Sequence, residues 1–202
     1  MIASSLHIGI DFDNTIVAYD KLFQRIAVEH GLIDAALPAN KSTIRNHLRA
    51  RGEEPAWTAL QGIVYGPRIT EAEPFPGVAD FFTRCQKAGI KLSIISHKTR
   101  EPIAGEPFDL HRAARSWLEK WGFLALLPRE RVFFEVTREA KLQRIRDAQC
   151  THFIDDLPEF LEEPLFPAGV ERILFDPSGV CHWQEGLSIF ASWQKISERF
   201  LL

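Results

Sequence analysis

The residues best suited to chemistry in this sequence are two pairs of aspartates, each placed directly after an apolar run. Asp11 and Asp13 follow the apolar run at residues 6–10, and Asp155 and Asp156 follow a later one. Two carboxylates just past a strand can share a hard cation through oxygen, or divide their work between an ionised nucleophile and a proton donor. Taken alone, the first pair is equally compatible with a polar turn, and the second with a helix N-terminus.

Two further residues are candidates for contact with a phosphate group, and a lysine stands between them and the second aspartate pair. Ser96 and His97 follow the apolar run 91–95, where a hydroxyl and backbone N–H groups can grip a phosphate oxygen. Lys141 lies in a helical pattern that leads into the strand before Asp155. A serine after a strand is usually a loop residue and a lone lysine on a helix is usually solvated. The order of these residues along the chain therefore gives them their weight.

Apolar runs alternate with helical patterns along most of the chain, which is typical of an α/β fold with a mainly parallel sheet. The predicted strands are 6–10, 91–95, 131–135, 152–154 and 172–175, and the predicted helices are 77–88, 110–121, 138–148 and 189–200. Asp109, Thr137 and Ser188 are the expected N-caps of the last three helices. Because ligands of an open parallel sheet bind at the carboxyl ends of its strands, we expect the candidate residues along one edge of a three-layer sandwich.

One region interrupts this alternation. From about residue 17 to residue 74 the sequence has no convincing strand and three helical patterns, near 21–30, 42–50 and 56–65. A glycine follows each pattern closely, as expected at the end of a helix. The sequence therefore predicts an α/β core made of residues 1–16 and 75–202, with a small helical insertion at residues 17–74.

Basic residues near the candidates are expected to be mostly solvated. His97, Lys98 and Arg100 follow the second apolar run. A second cluster lies in or beside the middle helix of the insertion and consists of Lys41, Arg45, His47, Arg49 and Arg51. Each of them is a minor candidate for substrate contact.

The order of the candidates resembles the haloacid dehalogenase (HAD) superfamily. The motifs read Asp11-Phe12-Asp13-Asn14-Thr15, then Ser96, Lys141 and Asp155-Asp156, and the resemblance covers the chain outside the insertion. It implies that Asp11 is the nucleophile that attacks phosphorus and that Asp13 is the general acid and base. It also implies that Ser96, assisted by the His97 amide, positions the phosphoryl group. Lys141 matches the cation that offsets charge between nucleophile and phosphate.

The same resemblance implies a Mg²⁺ site. Asp11 and Asp155 match direct ligands, and Asp13 matches the position whose backbone carbonyl helps to hold the ion. Asp156 matches an acidic partner that binds the metal directly or through water. The helical insertion stands where the family places a C1-type cap, which closes over the core and excludes bulk water. The positive charges of Mg²⁺ and Lys141 are needed at such a site, because phosphoryl transfer depends on positioning and charge neutralisation.

The residue two positions after the nucleophile narrows the expected reaction. Dehalogenases and phosphonatases of the family lack an acid there, whereas phosphatases and phosphomutases carry the aspartate that this chain has at Asp13. We therefore expect a Mg²⁺-dependent hydrolase of a small phosphorylated metabolite that passes through an aspartyl-phosphate. A phosphomutase or phosphotransferase of the same fold, and a non-catalytic module that binds a phosphate ligand, remain the alternatives. Response-regulator receiver domains do not fit, because their acidic residues come in a different order.

Composition and sequence patterns restrict the expected binding partners and the expected cellular compartment. The net charge of -3 lacks the basic surplus of a nucleic-acid binder, and no apolar stretch approaches the roughly 20 residues that span a bilayer. The N-terminus lacks the pattern of a signal peptide, and Cys85, Cys150 and Cys181 form no Cys-x-x-Cys pair, which favours reduced thiols. We expect a cytoplasmic protein without nucleic-acid or membrane partners. The sequence leaves the substrate and the oligomeric state open.

Overall fold

The structure is a computed structural model that describes residues 6–182 and 186–201. The chain forms two compact units. The core unit contains the chain up to Ile16, then Pro74–Lys98, and the chain from Gly122 onward; the helical unit contains Val17–Glu73 and Thr99–Trp121. The core domain expected from the sequence also includes residues 1–5, 183–185 and 202, which lie outside the described residues.

Over most of the chain the strands and helices alternate as the sequence pattern predicts. The segment 17–74, for which the sequence predicts no strand, has a two-residue strand at each end, Val17–Ala18 and Glu73–Pro74. The strands are β1 (His7–Ile10), β2 (Val17–Ala18), β3 (Glu73–Pro74), β4 (Lys91–His97), β5 (Val132–Glu135), β6 (His152–Asp155), β7 (Glu171–Phe175) and β8 (Leu187–Phe190). The helices are α1 (Asp20–Glu29), α2 (Lys41–Ala50), α3 (Glu54–Tyr65), α4 (Val78–Ala88), α5 (Leu110–Lys120), α6 (Arg138–Asp147), α7 (Pro158–Leu161) and α8 (Trp193–Leu201). In the described chain, none of these helices combines the length and apolarity needed to cross a bilayer.

The core unit is built around a parallel sheet flanked by helices, which confirms the predicted three-layer α/β class. Among the described residues, six strands join in the order β5-β4-β1-β6-β7-β8. Strand β1 lies between β4 and β6, with Ile10 opposite both Ile94 and Ile154. This register brings the carboxyl ends of three strands to one edge, so the residues that follow them become neighbours.

The close approach of β1 to β6 depends on a glycine. A Cβ atom added at Gly9 would lie 2.6 Å from Cδ2 of Phe153 and 2.9 Å from Sγ of Cys150. Both neighbours are buried, and Phe153 belongs to an apolar cluster with Leu142 and Ile145 of α6. This cluster fixes α6 against the sheet, and the position of Lys141 follows from that packing.

The helical unit has its own aromatic core. The ring of Phe23 in α1 stacks on Trp57 of α3 at 5.1 Å between centroids, and it meets Tyr65 edge to face at 5.6 Å. Aromatic pairs at such distances and angles add to the stabilisation from apolar burial. These aromatic contacts therefore pack α1 against α3, the first and third of the helices predicted for the insertion.

The division into units differs from the predicted domain boundaries in one segment. The sequence placed 99–121 in the α/β core, whereas these residues pack with the helical insertion. Trp117 of α5 is fully buried and donates its indole N–H to the carbonyl of Ala72 at 2.9 Å. Gly62 of α3 lies so near the same segment that an added Cβ would be 2.7 Å from the carbonyl oxygen of Ala104. These are long-range contacts that the alternation of strands and helices does not reveal.

The C-terminal region also differs from prediction, because the helix expected at 189–200 starts later. Ser188, the expected N-cap, lies instead in strand β8 opposite Ile173 of β7. The helix α8 begins at Trp193, and the hydroxyl of Ser192 accepts the Lys195 N–H at 3.3 Å. The other two predicted N-caps are confirmed: Asp109 accepts from the Arg112 N–H at 2.9 Å, and Thr137 accepts from the Ala140 N–H at 3.1 Å.

Candidate active site

The first candidate residue is held at the edge of the sheet by backbone pairing. The N–H of Asp11 donates to the carbonyl of Ile154 at 2.8 Å, which continues the pairing of β1 with β6 by one residue. Phe12 is fully buried, with its ring 5.5 Å from that of Phe134, and this contact anchors the segment from inside. Asn14 adopts a left-handed backbone conformation with φ of 56°, which asparagine tolerates better than most residues. The chain therefore turns sharply just after the two carboxylates.

Lys141 joins the ends of two neighbouring strands. Its Nζ lies 2.6 Å from Oδ1 of Asp11 and 2.6 Å from Oδ2 of Asp155. All three side chains are buried, and the ring centroid of Phe160 lies 4.0 Å from the same ammonium. Since both carboxylates contact one ammonium group away from water, their positions are fixed relative to each other.

The charges at this site shift the pKa values of both partners. Burial raises the pKa of Asp11 from an ordinary value of 3.8 to about 7, although the attraction of Lys141 opposes the rise. The nearby carboxylates of Asp155 and Asp13 raise it further. Burial also disfavours the ammonium, yet Asp11 and Asp155 outweigh this effect and hold the pKa of Lys141 above its usual value. One ammonium group is therefore insufficient to keep Asp11 fully ionised near neutral pH.

Three carboxylates at the site have the arrangement expected for a divalent cation. Asp11, Asp155 and Asp156 each offer an oxygen, and these oxygens lie within 4.8 Å of one another. Oxygens bound to one Mg²⁺ at about 2.1 Å lie at most about 4.2 Å apart, so small side-chain rotations suffice. The Thr15 hydroxyl orients Asp156 with a bond of 3.3 Å, and the Leu157 N–H orients Asp155 at 3.0 Å. The donor set therefore fits a hard cation that binds through oxygen.

The remaining aspartate of the first motif is held by a residue that the sequence analysis did not assign to the site. Nζ of Lys98 lies 2.7 Å from Oδ2 and 3.0 Å from Oδ1 of Asp13. The expectation that Lys98 is solvated is wrong, because its side chain is only 3% exposed. The sequence feature that could have indicated a role for Lys98 is its position two residues after Ser96, directly after β4. Its partner lies 85 positions away in the sequence, so no local pattern indicates the pair.

The charges of the four aspartates and the two lysines do not balance. The carboxylates of Asp11, Asp13, Asp155 and Asp156 are set against the two ammonium groups of Lys98 and Lys141. The formal sum over these six side chains is therefore -2 with every group ionised, and a divalent cation would offset it. The pKa of Asp11 is raised chiefly by burial, and the neighbouring carboxylates of Asp155 and Asp13 add to the rise.

Ser96 and His97 occupy the last two positions of β4 at the same edge of the sheet. Ser96 is buried and lies opposite Phe134 of β5, while Nε2 of His97 lies 3.2 Å from the carbonyl oxygen of Val136. Burial lowers the pKa of His97, which favours its neutral form. Ser96 and His97 thus lie at the end of β4, the strand next to β1, which Asp11 follows. Their contact with a phosphate group stays a prediction.

Comparison with known proteins identifies the fold. No protein-family model matches the chain, and no curated protein sequence is significantly similar to it. A structure described as a dehalogenase has a TM-score of 0.62 at 11% identity over 100% of both chains. A HAD family hydrolase from Deinococcus radiodurans, solved with phosphate and sodium, has a TM-score of 0.59 at 13% identity and covers 96% of this chain and 93% of its own. YfnB of Bacillus subtilis, described as a HAD-hydrolase bound to magnesium, has a TM-score of 0.54 at 12% identity and covers 98% of this chain and 99% of its own. The chain therefore has the α/β fold of HAD-like hydrolases.

Proposed function

We propose that this protein is a Mg²⁺-dependent phosphomonoester hydrolase of the HAD superfamily that acts through an aspartyl-phosphate on Asp11. The observation that carries the proposal is the buried contact of Lys141 with both Asp11 and Asp155, beside a second aspartate at position 13. The presence of magnesium in the Bacillus subtilis structure and of phosphate in the Deinococcus radiodurans structure supports both choices of ligand.

The side chains can divide the reaction between them in two steps. In the first, the Asp11 carboxylate attacks phosphorus while Asp13 gives a proton to the leaving alcohol. In the second, Asp13 takes a proton from the water that attacks the aspartyl-phosphate, and Asp11 is regenerated. General acid–base catalysis of this kind contributes about 10²–10⁴-fold to rate. Lys141 stays charged beside Asp11 and reduces its repulsion from the phosphate.

The remaining site residues bind and orient the phosphate. We expect the Ser96 hydroxyl and the His97 N–H to hold phosphoryl oxygens, because both residues stand at the end of a parallel strand. Mg²⁺, when held by Asp11, Asp155, Asp156 and the Asp13 carbonyl, supplies the positive charge that the site lacks. A small phosphorylated metabolite is the proposed substrate class.

The aspartate at position 13 favours a phosphate ester over a haloacid as the substrate. A halide leaves as a stable anion and needs no proton, so a general acid beside the nucleophile has no function in dehalogenation. An alkoxide leaving group does need one. The chain holds this carboxylate with a buried lysine, which indicates that its position matters. A phosphomutase would use the same residues, with a sugar hydroxyl replacing water as the final acceptor.

The test is hydrolysis of p-nitrophenyl phosphate with and without Mg²⁺, followed by a panel of natural phosphate esters and a haloacid. We expect metal-dependent phosphate release by the wild type and loss of more than about 10³-fold in Asp11→Asn, because the nucleophile is removed. Asp80→Asn is the matched control, since Asp80 is an exposed aspartate of α4. Release of halide but no phosphate would overturn the proposal, and transfer to an added sugar would assign the mutase alternative.

A further inference from the structure

The ion pair between Lys98 and Asp13 is held from several sides. The backbone N–H of Lys98 donates to the carbonyl of Glu135 at 2.7 Å, which fixes the main chain at the end of β4. Its Nζ contacts both oxygens of Asp13 and lies 5.6 Å from the ring centroid of Phe12. The lysine is thus anchored at its backbone and at its ammonium, and the Asp13 carboxylate is bound through both of its oxygens.

Stability alone is a poor explanation for this pair. Lysine is rarely buried because removing its ammonium from water is costly, and a buried pair often stabilises a fold no more than apolar side chains of similar volume. The Asp13 side chain is 22% exposed, whereas that of Lys98 is 3% exposed. The ammonium therefore supports a partly open carboxylate from its inner side, at the sheet edge where the proposed reaction takes place.

The pair also sets the direction of the Asp13 carboxylate. The oxygens that lie within 4.8 Å of one another belong to Asp11, Asp155 and Asp156, and Asp13 does not belong to that group. Its two side-chain oxygens are instead directed to Lys98. Two contacts from one ammonium restrict rotation of the carboxylate, and catalytic groups need such restriction, because small displacements cost large factors in rate.

We infer that Lys98 is a positioning residue that fixes Asp13 for proton transfer. The inference rests on the proposed function. In the first step the proton of Asp13 moves to the leaving oxygen, which keeps the electron pair of the broken P–O bond. In the second step Asp13 removes a proton from water as the water oxygen bonds to phosphorus, and the Asp11–P bond breaks with its electron pair returning to Asp11. Lys98 exchanges no proton in either step.

The test compares leaving groups in wild type and Lys98→Met. The ratio kcat/KM covers steps up to the formation of the aspartyl-phosphate, and the protonated acid matters there only for a poor leaving group. We expect kcat/KM for an alkyl phosphate to fall by about 10–100-fold, a part of the full contribution of general acid catalysis. For p-nitrophenyl phosphate, whose phenolate leaves without a proton, we expect a loss of less than about threefold on the same reasoning.

A double-mutant cycle with Asp13→Asn separates positioning from other roles. If Lys98 acts through Asp13, adding Lys98→Met to Asp13→Asn changes kcat/KM for the alkyl phosphate by less than about twofold. A thermal melt reports folding, and Lys98→Gln, which retains a donor, replaces the Met variant if that variant does not fold. Equal losses for both substrates, or a loss that persists in the Asp13→Asn background, would overturn the role of Lys98. Absence of turnover of any substrate by the wild type would instead overturn the proposed function and this inference with it.

Discussion

Replacement of the proposed nucleophile should stabilise the metal-free protein while it abolishes activity. The Asp11 carboxylate is buried and its pKa is about 7 in the fold, compared with an ordinary value of 3.8. Between pH 3.8 and about pH 7, Asp11 therefore keeps its proton in the folded state and has lost it in the unfolded chain. This contribution to stability is fully present below pH 3.8 and is lost as the pH rises through about 7.

The size of the effect follows from the difference between the two pKa values of Asp11. A tenfold change in proton affinity corresponds to about 1.4 kcal/mol, so the raised pKa lowers the free energy of unfolding by about 2 kcal/mol at pH 5 and about 4 kcal/mol at pH 8. The pKa already includes the attraction of Lys141, since that attraction opposes the rise. The asparagine side chain of Asp11→Asn carries no charge at any pH. We therefore expect this variant to exceed the wild type in stability by an amount that grows by about 2–3 kcal/mol from pH 5 to pH 8.

The assay is urea denaturation of both proteins at several pH values, with a chelator and then with Mg²⁺. The difference between the two proteins is the quantity to compare, because His7 also makes the free energy of unfolding depend on pH between about 4 and 6.5. Burial lowers the pKa of His7 to about 4, so its contribution to stability is present above pH 6.5 and is lost as the pH falls through 4. That contribution is common to both proteins and cancels in the difference. Mg²⁺ should stabilise the wild type more than Asp11→Asn, because the variant has lost a charged ligand.

A difference in stability that does not change between pH 5 and pH 8 would contradict the argument. It would mean that Lys141 alone keeps Asp11 ionised in spite of its burial. Asp80→Asn, at an exposed position of α4, is the matched control for the removal of one aspartate.

Two further substitutions test the packing around the site. Lys141→Met leaves two buried carboxylates without their ammonium partner, so we expect the metal-free free energy of unfolding to fall by about 3–5 kcal/mol in urea denaturation, with partial recovery in Mg²⁺. An unchanged midpoint would show that the carboxylates are solvated or protonated at little cost. Gly9→Ala places a methyl group 2.6 Å from Phe153, so we expect a loss of about 1–3 kcal/mol in the same assay. Unaltered stability would show that β1 and β6 can separate freely.

The fold could be predicted largely from local patterns. Strand β1 is buried along its whole length, and its residues after His7 are apolar, as expected for the centre of a parallel sheet. Asp109 and Thr137 were recognisable as N-caps because capping depends on residues only a few positions away. The end of the chain was misassigned, because the short strand β8 is stabilised by pairing with β7, and the local sequence does not show this contact.

The amino-acid sequence alone identifies which residues have the chemistry for the site: the four aspartates and Lys141 stand out by type, spacing and order. Folding establishes which of them come together. The parallel register places Asp11 beside Asp155, and the packing of α6 brings Lys141 to 2.6 Å from both. Only the tertiary structure identifies Lys98 as a site residue. A lysine after a strand is ordinarily solvated, whereas Lys98 is buried against Asp13, which lies 85 positions away in the sequence. Local spacing encodes residue roles, whereas charge compensation inside a fold depends on neighbours that the chain brings together only when it folds.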